Sequence, residues 1–446
     1  MHLRPVVLLL SVLAAVAAPA AAQDARSPLA ADIDRLVEAV DPKVVAWRRD
    51  IHANPELGNR EFRTAAKVAE HLEALGLEVR TGVGHTGVVG VLRGGRPGPT
   101  VALRADMDAL PVTERVDLPF ASTVTTEYNG QEVGVMHACG HDNHVAILMG
   151  VAEVLADVRD RLPGSVLFIF QPAEEGPPAG EEGGADLMLE EGAFDDPRPE
   201  AIFGLHVWPA PVGTLGYKAR GAMAAADGLY IKIVGRQTHG AVPWGGVDPI
   251  VVASQVVLGL QTVVSRQSEL TKAPAIVTVG SIHGGVRGNI IPDSVVMVGT
   301  VRTLDPDMRE DVHARIRRTA EGIAASAGAE AVVRIAEDGG LPVTYNDPDL
   351  TGWSLPTLRR AAGAEAVHEM AAITGAEDFS QFQEVIPGFF FFLGIVPEGQ
   401  DPASAPANHS PLFYADEAAL PVGVRAMANL AVDWLFENAG GGISPE

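Results

Sequence analysis

Three apolar runs in this chain end in the same way. Thr100–Arg104 leads into Ala105-Asp106-Met107-Asp108, Ser165–Phe170 into Gln171-Pro172-Ala173-Glu174-Glu175, and Ala201–Gly204 into Leu205-His206-Val207-Trp208. Each run has the length and composition of a buried strand. Open α/β sheets collect their ligands at the carboxyl ends of strands, so the repetition predicts one crevice into which acidic and histidine side chains converge. A turn rich in Asx side chains accounts for one such ending, not for three. Between the first two runs lies Val135-Met136-His137-Ala138-Cys139-Gly140-His141-Asp142-Asn143-His144, with the only cysteine of the chain and three of its thirteen histidines. Thiolate, imidazole and carboxylate together suit borderline-soft divalent ions. The spacing is not that of a closed structural zinc site, so further ligands must come from elsewhere in the chain.

At 446 residues the chain exceeds one compact core and implies two or three domains. Helical patterns run over Asp32–Val40, then Pro42–Ala53 with Asp41 as cap, then Glu61–Leu75. Val145–Val158 has a helical period, which puts His141 and Asp142 near a helix N-terminus. From about Lys218 to Glu337 the order becomes β-α-β-β-α-β, that of a ferredoxin-like unit. Helical patterns then return at Asp349–Ala362, Glu377–Glu384 and Asp416–Asn438, around the apolar strand Phe389–Leu393. The expected fold class is therefore α/β: a discontinuous three-layer domain, 23–217 and 338–446, with a ferredoxin-like domain inserted at 218–337.

The first 22 residues read as a signal peptide, with His2 and Arg4, the apolar run Val6–Val16 and the small-residue end Ala20-Ala21-Ala22. The expected location is periplasmic or secreted, with no membrane association after cleavage and no later stretch apolar enough to span a bilayer. There a lone cysteine is exposed to oxidation, and metal ligation protects it. A formal net charge of −24 argues against nucleic-acid partners.

Seven ordered motifs give the chain a resemblance to the aminoacylase/carboxypeptidase family of di-metal hydrolases, in its amidohydrolase branch. They are Arg104-Ala105-Asp106-Met107-Asp108-Ala109-Leu110-Pro111, His137-Ala138-Cys139-Gly140-His141-Asp142, Phe170-Gln171-Pro172-Ala173-Glu174-Glu175, Gly204-Leu205-His206, Thr238-His239, Gly375-Ala376-Glu377-Asp378-Phe379 and Asn408-His409-Ser410. The resemblance implies two divalent ions (zinc, manganese, cobalt or nickel) held by Cys139, His141, Glu175, His206 and His409, with Cys139 bridging. It implies Glu174 as general base, His239 as an oxyanion donor from the inserted domain or from a dimer partner, and a lid or dimerisation role for that domain. Paired metals about 3.5–4 Å apart bind a hydroxide between them and polarise an amide carbonyl. The implied activity is hydrolysis of N-acyl amino acids or small peptide-like amides.

Each assignment has a plainer rival. His206 fits a satisfied core histidine, His409 a loop histidine, and the Glu174-Glu175 pair a solvated loop. Asp106 and Asp108 read as groups that orient a ligand histidine, and His144 as structural or as another group supporting the ligands, not as a ligand itself. Asn289, Arg287 and Arg302 are candidates to hold a substrate carboxylate, Arg being suited to a bidentate grip; surface charge explains those arginines equally well. The link Gly176-Pro177-Pro178-Ala179-Gly180-Glu181-Glu182-Gly183-Gly184 is longer than the family's and lengthens a loop beside the site. The alternatives are a dipeptidase or carboxypeptidase of the same family, an amidase with Cys139 as nucleophile, and a non-catalytic metal- or solute-binding protein.

Overall fold

Parallel pairing brings the ends of the apolar runs to one edge. The computed structural model describes residues 28–337 and 339–440, so the proposed signal peptide lies outside the described residues. Eight strands form one mixed sheet in the order Glu78–Val83, Gly87–Arg93, Pro163–Gln171, Arg96–Asp106, Ala201–Pro211, Gly388–Val396, Leu215–Tyr217, Val367–Glu369. The four in the middle, from Pro163–Gln171 to Gly388–Val396, are mutually parallel, with Asp106 opposite Gln171 and Phe392 opposite His206.

These central strands are buried on both faces, as parallel sheets require. Leu103, Phe168, Phe203, Phe389 and Phe391 join one core, where helices Ala30–Ala53, His141–Asp157 and Leu420–Asn438 contribute. Their strand neighbours Ala102, Leu167, Ile169, Ile202 and Phe390 face the opposite core, with Phe379 and Phe382. The period-two alternation thus makes the three layers.

A second sheet has the order Ala275–Gly284, Ser294–Thr303, Asp227–Val234, Glu330–Ile335, all antiparallel. Helices Pro249–Thr262 and Pro306–Ser326 cover it and share a separate core with it. The chain order is the βαββαβ of the sequence reading.

Several elements depart from expectation. Asp41-Pro42 does not divide the first helix: Ala30–Ala53 is continuous through Pro42. Val37, Val40 and Val44 lie on one buried face across the proline, and their burial outweighs the lost backbone bond. The strand holding His206 runs to Pro211, so that histidine lies within the strand and not beyond its end. The segment Glu377–Glu384 is helical only over Phe379–Gln383. Contrary to the expectation of no later span-like stretch, Pro249–Gln267 is long and apolar enough to cross a membrane. Its Val252, Ala253, Val256 and Leu260 are nonetheless buried against the second sheet, as in a core helix.

One buried ion pair anchors the start of helix His141–Asp157. Arg48 Nε donates to Asp142 Oδ2 at 2.8 Å, and His52 Nδ1 lies 2.8 Å from the same oxygen. Removing one partner of a buried pair leaves the other uncompensated, typically at about 3–5 kcal/mol. Arg48→Met is expected to lower unfolding free energy by about 3 kcal/mol in urea titration, and a change below about 1 kcal/mol would contradict the role given to the pair.

Candidate metal centre

Gly140 separates Cys139 from His141 in a left-handed conformation, with φ of 93°. A Cβ there would meet Val207 Cγ2 at 2.3 Å, so only glycine lets this turn press against the His206 strand. Cys139 Sγ consequently lies 3.3 Å from His206 Nε2.

The histidine tautomers follow from their second nitrogens. His206 Nδ1 donates to the Val207 carbonyl at 2.7 Å, and His141 Nδ1 to Asp108 Oδ1 at 3.1 Å. With Nδ1 so engaged, Nε2 is the nitrogen each ring leaves for a metal; against the effect of burial, Asp106 and Asp108 raise His141 to about 10, so a cation there must displace a proton. His141 Nε2 is buried with no hydrogen-bond partner. His144 differs: Nδ1 faces Asp106, and Nε2 accepts the Val207 N–H at 2.9 Å. Both nitrogens are used, so His144 is structural.

Asp108 serves twice, its other oxygen accepting the Glu175 N–H at 3.0 Å. Asp106 stands farther from His141. It lies 3.8 Å from His141 Nδ1 but is engaged by His144 and by Arg104 Nη1 at 2.6 Å. It braces the floor of the site, while Asp108 makes the closer contact with His141.

His409 arrives from a distant loop with φ of 71°. Its N–H donates to the Ala138 carbonyl at 2.8 Å, Asn408 Nδ2 donates to the Cys139 carbonyl at 3.1 Å, and His409 Nε2 lies 3.0 Å from Glu175 Oε1. Among the described residues five sets of donor atoms lie within 4.8 Å of one another, and two of them contain Cys139: Cys139 with His141 and His206, and Cys139 with Glu175 and His409. Cys139 is common to both.

Charge in this region is lopsided. Arg104 donates to Asp106, to Glu377 at 2.8 Å and to Asp378 at 2.9 Å, while Gln171 supplies a further acceptor to Arg104 and donors to Asp378. Asp108, Glu174 and Glu175 add more carboxylates. Burial, then Glu377, Glu175, Asp378 and Asp106, push the Glu174 carboxyl well above its usual range. Burial, with Glu175 and Glu174 beside it, likewise pushes the Cys139 thiol well above normal. Burial drops His206 to about 3. A thiol that resists ionisation, next to an imidazole that resists protonation, is a poor nucleophile-base pair. The same donors around divalent cations are compensated, so these residues fit a metal centre.

The cleft above the centre has a volume of about 340 Å³, and Trp208, Met223, Leu341 and Ile373 form its apolar wall. A larger cavity of about 570 Å³ continues past Glu174 along the long loop. His239, Asn289 and Arg302 do not line the cleft. His239 is exposed, on a two-residue ribbon whose next residue, Gly240, bonds the Asn289 carbonyl. Arg302 pairs across the second sheet with Ile276 and borders a small void with Thr374. Arg287 is exposed.

The sequence reading gave no role to Arg104, Gln171, Glu377, Asp378 or Asn408, although its motifs contained them. It also missed Glu61, which is fully buried and pushed up to about 7 by burial and nearby Asp108. A glutamate at a helix start carries no local sign of such contacts.

The profile described as Peptidase family M20/M25/M40 matches residues 102–433. Thermostable carboxypeptidase 2 of Saccharolobus solfataricus is 39% identical over 398 residues, covering 89% of this chain and 96% of its own length. IAA-amino acid hydrolase ILR1-like 2 of Arabidopsis thaliana is 40% identical over 411 residues, covering 91% and 89%. A dinuclear metal binding peptidase of the M20 family from Bacillus subtilis superposes with a TM-score of 0.72 at 38% identity, covering 90% of this chain and 99% of that one.

Proposed function

Because the chain belongs to peptidase family M20/M25/M40 and is a metal-dependent hydrolase acting on amide bonds, we propose that it cleaves N-acyl amino acids with an apolar acyl group. The observation that carries this reading is the pair of donor groups sharing Cys139, set beside the half-buried Glu174 under an apolar wall. The plant and bacterial relatives named as amino-acid conjugate hydrolase and dinuclear metal peptidase support it.

In this reading Cys139, His141 and His206 would hold one divalent ion, and Cys139, Glu175 and His409 the other. Bound ions supply Lewis acidity toward a carbonyl and lower the pKa of water. The chain does the rest. Asp108 and the Val207 carbonyl fix the histidine tautomers, and Trp208, Met223, Leu341 and Ile373 exclude bulk water from the acyl group. Glu174 takes a proton from the attacking water and returns it to the leaving nitrogen, work suited to a carboxyl whose proton affinity is raised. We further read the chain as exported, and the exposed Ile250, Val251 and Leu258 of the inserted helix as part of a homodimer contact in which the partner's copy of the ribbon carrying His239 reaches the cleft.

Protein stripped with a chelator is expected to lose activity and to regain it with zinc, manganese, cobalt or nickel. On the reloaded protein, N-benzoyl amino acids should exceed dipeptides in kcat/KM by about a hundredfold, since a free α-ammonium would be buried against an apolar wall. Preference for dipeptides would favour the carboxypeptidase or dipeptidase activity instead, and full turnover without metal would overturn the reading.

A further inference from the structure

Ala173 sits where the catalytic segment leaves the sheet, just before Glu174, and it is strained. The strand Pro163–Gln171 has ended, and Ala173 adopts φ of 51°, in the left-handed region that a side chain with a Cβ rarely adopts. Such conformations persist only where the surroundings enforce them. Here the turn sends Glu174 towards Asp106 and Glu377, and Glu175 towards His409.

What enforces it comes from more than a hundred residues earlier in the chain. Glu61, fully buried at the cap of helix Phe62–Ala74, accepts the Ala173 N–H on Oε1 at 2.9 Å, and its Oε2 accepts from Thr86 Oγ1 at 2.5 Å. Gly58 presses on the same turn: a Cβ there would lie 3.2 Å from Ala173 Cα and 3.1 Å from the Gly176 carbonyl. Asn59 donates to the Glu182 carbonyl at 2.9 Å, and Arg60 grips Glu181, tying down the long loop that follows. The preceding Glu56 carbonyl accepts the Ala109 N–H at 2.8 Å, next to Asp108. One short segment, 56–61, therefore holds both catalytic strand exits at once.

We propose that Glu61 is a positioning residue for hydrolysis: by holding the Ala173 N–H it maintains the left-handed turn that aims Glu174 at the reacting atoms. This rests on Glu174 being the base. Glu61 itself touches neither substrate nor metal, so its effect belongs in kcat, through misplacement of the base, more than in KM.

The test compares Glu61→Met, which fills the space without an acceptor, with Glu61→Gln, which keeps one. E61M is expected to lower kcat on the order of a hundredfold, the scale of a misplacement near 1 Å, with KM, metal content and melting temperature close to wild type. E61Q should stay within about fivefold, because an amide oxygen still accepts the N–H. Adding Ala173→Gly to E61M should recover about tenfold, since glycine adopts the turn without support. An unchanged kcat in E61M, equal damage in E61Q, or no recovery with glycine would each overturn the inference. Should E61M not fold, Gly58→Ala displaces the turn from its other side, and an unchanged kcat there would overturn it as well. Glu174→Gln run alongside separates the two readings: an active E174Q removes the base and this inference together, whereas a dead E174Q beside an active E61M removes the inference alone.

Discussion

Glu174→Gln is expected to lower kcat by about 10³- to 10⁴-fold while both metal ions stay bound. The magnitude follows from general acid-base catalysis, where one positioned group typically contributes about 10²- to 10⁴-fold, and in the proposed mechanism Glu174 acts twice in each turnover. Retention of metal follows from position. Glu174 does not belong to either donor group that contains Cys139, although it stands with His141 and Glu175 in a third, and glutamine matches glutamate in shape. Stability should not fall, because the substitution removes a carboxylate from a pocket that already crowds Glu174 with Glu377, Glu175, Asp378 and Asp106. The measurement is kcat on an N-benzoyl amino acid, with metal content and melting temperature on the same sample. Turnover equal to wild type would remove Glu174 from the mechanism. A dead enzyme with both ions in place would also separate catalysis from binding, since a protein that only bound metal or solute would need no base there.

The parts of the site that local pattern encodes were legible in the sequence. Apolar runs ending in Asp106, Glu174 and His206 predicted a shared sheet edge, and the alternation of strands and helices after Lys218 predicted the inserted unit. Cys139-Gly140-His141 showed its donors, and the structure adds that Gly140 is required by the approach of Val207. What stayed hidden depends on tertiary approach. Arg104 meets Glu377 across 273 positions and Glu61 meets Ala173 across 112; neither carboxylate looks different from a solvated one in its own neighbourhood. The hairpin Thr125–Tyr128 with Gln131–Gly134 is mostly exposed and so lacks the apolar period that marks strands. Pro42 misled for the opposite reason, because a breaker was overruled by the buried face on either side of it. The extension of the His206 strand to Pro211 was masked by a polar residue within an otherwise apolar run.

Cys139→Ala should empty the metal centre and not merely slow it. Cys139 is the one donor common to both of these groups, so on the proposed ligand set its loss would take a ligand from each ion, whereas His409→Ala would take a ligand from one. Uncompensated burial holds the thiol far above its normal range, and Glu175 and Glu174 add to that burden. A thiolate here would therefore need cations to balance it, and on the proposed ligand set the coupling would run both ways: the ions would need the sulfur as the sulfur needs the ions. The alanine variant is expected to hold fewer than about one ion per chain after dialysis and to lose at least about 10³-fold in activity, while keeping its fold, since the side chain removed is small. Cys139→Ser discriminates the remaining rival. A nucleophilic cysteine replaced by serine would abolish turnover with both ions retained, whereas a bridging thiolate replaced by a hydroxyl, a harder and far weaker ligand, would lose metal and activity together. Elemental analysis beside kcat decides between them, and full metal occupancy in both variants would remove Cys139 from the ligand set.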